Sequence, residues 1–156
     1  MVNKVVLEDL NDFNRLGLQV NSNFINLFNL EDILSSDYNY LFGYYEDNKL
    51  VGFIHITKSF EIVDIVNVVV DNLYRRKGIG TKLIDYVVNY FSDVSSFMLE
   101  VNVNNVAAIK LYEVNNFVVI HKREKYYGND DALIMKRDVW YERCKYFSYW
   151  VFLWWD

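Results

Sequence analysis

A short basic segment that contains two glycines is the first part of this chain whose residue types and spacing suggest a chemical role. It runs from Arg75 to Thr81 and reads R-R-K-G-I-G-T. Unpaired amides and the helix dipole at a helix start favour an anion, glycines let the backbone approach closely, and the cations add charge. The segment therefore predicts a phosphate-binding loop. It is neither a P-loop nor the dinucleotide fingerprint, because neither spacing is present.

The elements on either side of this loop fit that prediction. The β-branched run Ile62–Val70 predicts a central strand covered on both faces. After the loop, apolar residues recur at helical spacing from Ile79 onward, at Leu83, Ile84, Val87, Val88 and Phe91. The order is thus strand, basic glycine loop, helix.

The remaining pattern predicts further strands and helices. Tyr40–Tyr45 and Leu50–Thr57 flank a polar turn and predict an antiparallel hairpin. Other predicted strands are Val5–Val6, Phe97–Val103, Phe117–His121 and Ala132–Met135, and other predicted helices start near Glu8 and cover Phe28–Leu34 and Asn105–Val114. We therefore expect an α+β fold with a central mixed, mostly antiparallel sheet of about seven strands and about four flanking helices.

Composition limits the class of protein. The 156 residues suit one domain, and the net charge of −5 argues against a nucleic-acid binder. The single Cys144 cannot form an internal disulfide, Met1–Lys4 does not resemble a signal peptide, and no apolar run is long enough to span a membrane. We expect a cytoplasmic protein. His55, predicted in a strand, and His121, predicted in a loop, have no metal-like partners, so no metal site is expected.

The last eighteen residues, 139–156, differ from the rest because nine of them are aromatic. We predict a catalytic domain over residues 1–138 followed by this aromatic extension. The run from Tyr146 to Trp155 is too short to cross a bilayer. Packing on the domain or self-association is favoured over contact with a membrane surface.

The basic loop after a valine-rich strand resembles the acyl-CoA pyrophosphate loop of the GNAT N-acetyltransferases, whose pattern is [RQ]-x-x-G-x-[GA]. The resemblance implies the GNAT fold and acetyl-CoA as cosubstrate, without a metal. It also implies which residues bind acetyl-CoA. The strand residues Val68, Val69 and Val70 would hold pantetheine through their backbone, and the pyrophosphate would contact Arg76, Lys77, Gly78, Ile79, Gly80 and Thr81.

A second segment, Leu99–Glu113, resembles the L-E-V-R-x-S-N-x-x-A-I-x-L-Y-E motif of the RimI family of ribosomal-protein alanine N-acetyltransferases. Lys125–Tyr127 and Asp131–Met135 are similar to two later motifs of that family. The resemblance implies that Glu100 is the general base and Tyr112 the proton donor. Asn105 would contact the cofactor, although a helix N-cap role explains it equally.

These roles agree with the chemistry of amine acetylation. An α-ammonium group, with a pKa near 7.7 to 8.0, must lose a proton before it attacks a thioester, and the leaving thiolate needs a proton back. Asp64 on the central strand is an alternative base. Two departures from the family are Asn102, where Arg is usual, and Asn116, where Gly is common; Asn tolerates the left-handed backbone that the glycine position requires.

The resemblance makes a protein N-terminus, with a ribosomal protein as the family default, the expected acceptor. The segments that select the acceptor would be Asn21–Ser36 and Lys122–Asp131, and Tyr126 and Tyr127 would form the walls of a groove between them. Two alternatives remain: a small-molecule or lysine acetyltransferase of the same fold, and a noncatalytic acyl-CoA sensor.

Overall fold

The computed structural model describes residues 1–139, which form seven strands and five α-helices. The strands are β1 (Val2–Lys4), β2 (Asn39–Glu46), β3 (Lys49–Ser59), β4 (Ile62–Val70), β5 (Ser96–Asn102), β6 (Val118–Tyr127) and β7 (Asp130–Asp138). The helices are α1 (Leu10–Leu18), α2 (Phe24–Leu27), α3 (Leu30–Ser35), α4 (Ile79–Tyr90) and α5 (Val106–Val114), with 3-10 turns at Leu7–Asp9 and Asn72–Tyr74. The predicted α+β class is confirmed. The aromatic segment from residue 140 onward lies outside the described residues.

The strands form one sheet in the order β1-β2-β3-β4-β5-β7-β6. The pairs β1–β2, β2–β3, β5–β7 and β6–β7 are antiparallel. The neighbours β4 and β5 are joined by α4, the type of helical crossover that a parallel pair requires. The sheet is therefore mixed and mostly antiparallel, as predicted.

The chain divides into two compact units, and unit 1 comprises Met1–Ser59 with Asp64–Tyr90. Its core contains three phenylalanines in contact: the ring of Phe13 lies 5.2 Å from that of Phe24 and 4.8 Å from that of Phe53. A Cβ on Gly17 of α1 would lie 2.0 Å from the Phe24 ring. The glycine is thus needed for the ring to pack directly on the helix backbone.

Helix α4 contributes a second apolar cluster to unit 1. Phe42 of β2 is fully buried, and its ring lies 5.1 Å from the ring of Tyr86 and 5.0 Å from that of Tyr90. The buried residues of α4 are Ile79, Gly80, Leu83, Ile84 and Val87, which confirms the helical period read from the sequence. This packing fixes the helix that begins directly after the basic loop.

Among the described residues, unit 2 comprises Phe60–Val63 and residues 91–139. Within it β7 lies between β5 and β6, and α5 connects β5 to β6. Tyr112 of α5 is buried with its ring 5.7 Å from that of Phe117. Every residue of the outer strand β6 is exposed.

Two predicted elements near the N-terminus are wrong in position. The first strand is Val2–Lys4 and not Val5–Val6, because Val2–Lys4 is the segment that pairs with β2; Val5, which follows it, is buried in the core of unit 1. The predicted helix Phe28–Leu34 is divided: Phe28 is extended and ends α2, and the Asn29 side chain caps α3 by accepting from the amide of Asp32 at 3.1 Å.

Two further expectations need correction. The strand predicted at Phe117–His121 continues to Tyr127, so His121 lies in a strand, paired with Ile134, and not in a loop. The central strand β4 has the predicted limits but is not covered along its whole length, since Ile62 and Val66 are 38% and 39% exposed. Of the helices described, none combines the length and apolar character needed to cross a membrane.

Candidate active site

The basic loop has the backbone geometry of an open turn that leads into a helix. Arg76 and Gly78 both adopt left-handed conformations, with φ of 61° and 75°. Apart from Gly78 and its two chain neighbours, no heavy atom of the described residues lies within 4 Å of where a Cβ on Gly78 would be. The carbonyl of Gly78 accepts from the amide of Lys82 at 3.0 Å, so α4 starts here and its first amides point back toward the loop.

Four cations lie on or beside this loop. Arg75, Arg76 and Lys77 are exposed, and Lys77 Nζ lies 4.8 Å from the centre of the Tyr74 ring. Lys82, one turn into α4, has its Nζ 3.3 Å from the Tyr44 hydroxyl. Positive charge is thus concentrated at the helix end whose dipole already favours an anion.

The strand before the loop holds the three valines assigned to pantetheine. Val69 is buried in the core of unit 1, and Val68 and Val70 are half-buried. A Cβ on Gly52 would lie 2.9 Å from the carbonyl oxygen of Val69. The glycine therefore permits the close approach of β3 to this part of β4.

In unit 2 the carboxylate of Glu100 on β5 forms an ion pair with Arg123, which the sequence did not predict as a site residue. Arg123 Nη1 donates to Glu100 Oε1 at 2.5 Å, with the two side chains 47% and 30% exposed. The phenol of Tyr126 also hydrogen-bonds to Glu100, which is the main cause of the raised pKa of that phenol. The guanidinium of Arg123 lies 5.4 Å from the Tyr126 ring centre.

Strand register explains how Arg123 reaches Glu100 across β7. Glu100 is paired with Ile134, and two residues earlier on β7 Ala132 is paired with both Asn102 and Arg123. Ala132 is fully buried and has the smallest side chain that still carries a Cβ. Because residues two apart share a sheet face, the long Arg123 side chain crosses diagonally over this small residue.

Tyr127 connects the two predicted catalytic residues electrostatically. The Glu100 carboxylate contributes to the raised pKa of Tyr127, after burial, and Tyr127 in turn contributes to that of Tyr112. The rings of Tyr126 and Tyr127 lie 5.0 Å apart and nearly perpendicular. Glu100 thus forms a cluster with Arg123, Tyr126 and Tyr127, and Tyr127 is also an electrostatic neighbour of Tyr112.

Tyr112 itself is 7% exposed, and burial raises its pKa to about 12. The phenol therefore remains protonated across the physiological pH range. A weakly acidic phenol is suited to donating a hydrogen bond to a developing anion, and less suited to complete proton release than the ordinary phenol that the sequence analysis considered.

A family model agrees with these motifs. The model described as the Acetyltransferase (GNAT) family matches residues 6–117. The chain belongs to the GNAT family. This also accounts for the seven-stranded sheet with a strand, basic loop and helix at its centre.

Two individual proteins are similar to this chain in sequence, and one solved structure is similar in fold. The [ribosomal protein bS18]-alanine N-acetyltransferase of Escherichia coli K12 is 31% identical over 96 residues, which is 58% of this chain and 65% of the relative, slightly under two thirds of its length. N-alpha-acetyltransferase 30 of Xenopus laevis is 39% identical over 82 residues, 51% of this chain and 30% of the relative. A Bacillus anthracis protein solved in complex with acetyl coenzyme A has the same fold, with a TM-score of 0.76 at 20% identity over 88% of this chain and 98% of that one.

The two departures from the RimI-like motif have clear structural consequences in this GNAT chain. Asn116 adopts φ of 66°, so the turn survives without glycine as predicted. Asn102, which replaces the usual arginine, donates to Asp130 Oδ2 at 3.0 Å and accepts from the amide of Asn104 at 2.8 Å. It therefore closes the connection between β5 and the β6–β7 hairpin.

Asn105 has the N-cap role that the sequence analysis left open. Its Oδ1 accepts from the amide of Ala108 at 3.2 Å at the start of α5. That bond leaves the side-chain amide nitrogen for a cofactor contact, which stays a prediction. Asp64, the alternative base, is exposed on β4.

The loop of this GNAT chain fits the pyrophosphate of acetyl-CoA on its own geometry. Gly78 leaves open space, the start of α4 offers amides, and Arg76 and Lys77 are exposed beside them. Among the residues from 1 to 139, no three His, Cys, Asp or Glu side chains are grouped as metal ligands would be.

The first segment assigned to acceptor choice packs around a buried histidine. The Phe28 ring lies edge-on to His55 at 5.9 Å, and His55 Nε2 lies 2.7 Å from Asn39 Oδ1. Asn39 Nδ2 donates to Ser36 Oγ at 2.8 Å, so its oxygen faces the imidazole and His55 Nε2 is the donor. Burial lowers the pKa of His55 to about 4, which keeps the ring neutral.

Proposed function

We propose that this protein transfers the acetyl group of acetyl-CoA to the N-terminal α-amine of a protein, with a ribosomal protein as the first candidate. The observation that carries the proposal is the group of side chains around Glu100, whose carboxylate is hydrogen-bonded by Arg123 and Tyr126. The segment that contains both catalytic candidates is the one that resembles the RimI family. The bS18-alanine and N-alpha-acetyltransferase relatives support an N-terminal acceptor.

The chain supplies groups for both proton steps of such a transfer. Glu100, a partly exposed carboxylate that binds Arg123 and Tyr126, would take the α-ammonium proton directly or through a water. The neutral amine then attacks the thioester carbonyl that acetyl-CoA provides. The Tyr112 hydroxyl would donate a hydrogen bond to the leaving sulfur, and the proton that the attacking nitrogen loses as the amide forms would convert the departing thiolate into the thiol.

Binding would fall to the loop and the strand before it. Arg76, Lys77 and Thr81, together with the amides of Gly78, Ile79 and Gly80, would contact the pyrophosphate. The backbone of Val68, Val69 and Val70 would hold pantetheine, with a contribution from Asn105. The acceptor would be chosen by Asn21–Ser36 and Lys122–Asp131.

Acetylation of matched peptides tests this function. A panel with free or blocked N-termini, each with and without an internal lysine, is incubated with acetyl-CoA, and thiol release and product mass are recorded. We expect product only from free N-termini. Modification of lysine in blocked peptides would favour the lysine alternative, and thiol release with none of the peptides would reject a protein acceptor.

A variant of the base separates the enzyme from the noncatalytic acyl-CoA sensor. Glu100→Gln keeps the side-chain shape and should lower turnover by about 10² to 10⁴, as expected for loss of a general base, while acetyl-CoA still binds. Glu113→Gln, an exposed glutamate on α5, is the matched control. If Glu100→Gln retains full turnover from pH 6 to 9, Asp64→Asn should be measured next.

A further inference from the structure

Helix α1 contacts the turn that joins β4 to the basic loop. Arg15 Nη1 donates to Asp71 Oδ2, Arg15 Nη2 donates to the carbonyl of Leu50 at 3.3 Å, and Arg15 Nε donates to Asp12 Oδ1 at 3.0 Å. One helical turn later, Gln19 Oε1 accepts from the amide of Asn72 at 3.0 Å. Arg15 of α1 therefore binds Asp71, the residue before the 3-10 turn Asn72–Tyr74, and Gln19, at the end of α1, binds Asn72, the first residue of that turn.

Asp71 is the centre of this arrangement. It is 3% exposed, its Oδ1 accepts from the amide of Leu73 at 3.0 Å, and its own amide donates to the carbonyl of Val51 at 2.9 Å. Burial alone would raise the pKa of Asp71, but the hydrogen bonds from Arg15 and Leu73 hold it below its usual value. A buried ionised carboxylate of this kind depends strongly on its cation.

The loop begins within four residues of Asp71 and has few restraints of its own. Arg75 Nε donates back to the carbonyl of Val70 at 3.1 Å, while Arg76 and Gly78 are exposed and left-handed. A loop that must present amides and cations to a pyrophosphate binds more tightly if its base is already fixed, since less ordering is then required on binding.

We propose that Arg15 of α1 and Gln19, the residue that caps its C-terminus, are positioning residues for acetyl-CoA: they hold the Asp71–Tyr74 turn, and through it the phosphate loop, in the binding conformation. The inference rests on the proposed function, in which that loop binds the pyrophosphate. It assigns a role in acetyl-CoA affinity to Arg15 and Gln19, which belong neither to the loop motif nor to the RimI-like segment.

A set of variants tests this role. Arg15→Met removes the guanidinium but keeps an apolar stem, Gln19→Ala removes the hydrogen bonds to Asn72 and to Asp71, and Asn11→Ala, on the exposed face of the same helix, is the control. Acetyl-CoA affinity is measured by calorimetry well below the melting temperature, together with KM and kcat. We expect acetyl-CoA Kd and KM to rise about tenfold in Arg15→Met, on the scale of one charge-assisted hydrogen bond, and about threefold in Gln19→Ala. The acceptor KM and kcat at saturating acetyl-CoA should stay within about twofold.

A double variant separates positioning from simple support of the fold. Arg15→Met with Asp71→Leu removes both charges, so it should recover much of any lost melting temperature. If acetyl-CoA affinity stays low in this stable protein, the hydrogen-bonded turn is what the cofactor requires. If affinity returns with stability, or if Gln19→Ala binds acetyl-CoA like Asn11→Ala, the positioning role is wrong.

Reference measurements show which proposal has failed. The unchanged protein must bind acetyl-CoA, and Gly78→Asp, which places a carboxylate in the loop, must weaken that binding. If the unchanged protein does not bind, the proposed function fails. If it binds, Gly78→Asp weakens binding and the α1 variants do not, the inference about α1 alone fails.

Discussion

Arg123 donates a 2.5 Å hydrogen bond to Glu100, so the carboxylate assigned as general base is also half of an ion pair. Both side chains are partly exposed, and pairs of this kind contribute little to stability. The consequence is chemical: an ammonium group that approaches Glu100 competes with the guanidinium for the carboxylate and is repelled by it.

Removal of the guanidinium should therefore change acceptor binding. In Arg123→Gln we expect the KM for a free N-terminal peptide to fall severalfold at low salt, because the competing positive charge is gone, and the difference should shrink at high salt. Lys122→Gln removes a neighbouring charge that pairs with Asp131 and serves as the control. A rise in peptide KM in Arg123→Gln would show that the arginine instead helps to bind the acceptor.

Tyr112→Phe should slow the chemical step without a change in the high-pH limb of the rate profile. Because the pKa of Tyr112 is about 12, its phenol stays protonated throughout an assay from pH 6 to 9.5. We expect turnover to fall by about 10- to 100-fold across that range, with acetyl-CoA affinity unchanged. Phe117, which packs on the Tyr112 ring, should keep the variant folded. A descending limb that disappears in Tyr112→Phe would mean that the phenol does titrate.

His55 predicts a specific loss of stability at mildly acidic pH. Its pKa is about 4 in the folded protein and near 6.5 in an unfolded chain, so the unfolded state takes up a proton first as the pH falls. The free energy of unfolding should drop by about 2 kcal/mol between pH 7 and pH 5 from this group alone. Measured by urea unfolding, the free energy of unfolding of His55→Gln should fall less between pH 7 and pH 5 than that of the unchanged protein. The free energy of unfolding of the exposed variant His121→Gln should fall as much as that of the unchanged protein. Parallel curves for all three proteins would contradict the assignment.

The aromatic extension should be dispensable for chemistry, since every predicted catalytic and cofactor residue precedes residue 139. The cut belongs after Val139, because β7 continues to Asp138 and the Val139 amide donates to the carbonyl of Ser95 at 3.0 Å. We expect kcat and both KM values within about twofold of the full chain. Truncation after Arg137 should lower the melting temperature, since it removes the pairing of Asp138 with Ser96. A folded protein cut after Val139 that no longer transfers acetyl would place the extension in the active site.

The sequence predicted the parts of the site that depend on local pattern. The strand, loop and helix around Gly78 follow from a β-branched run, a glycine and a helical period, and the backbone of Asn116 follows from its side chain. Arg123 was not predicted, because its contact with Glu100 depends on the registers of two strand pairs and on the size of Ala132 between them. Phe28 was placed in a helix because its spacing is helical, whereas its ring packs on His55 from an extended backbone.

The division of the chain into two units also bears on how the protein is made. The last residue of unit 1 is Tyr90, so all of unit 1 is synthesised before β5, which ends at Asn102. At roughly 5 to 20 residues per second, translation from Phe91 to Asn102 takes on the order of a second, far longer than hairpins and helices need to form. We expect the phosphate loop to reach its folded geometry on the nascent chain, before the strand that carries Glu100 has left the ribosome. Limited proteolysis of stalled chains would show this as early protection of unit 1.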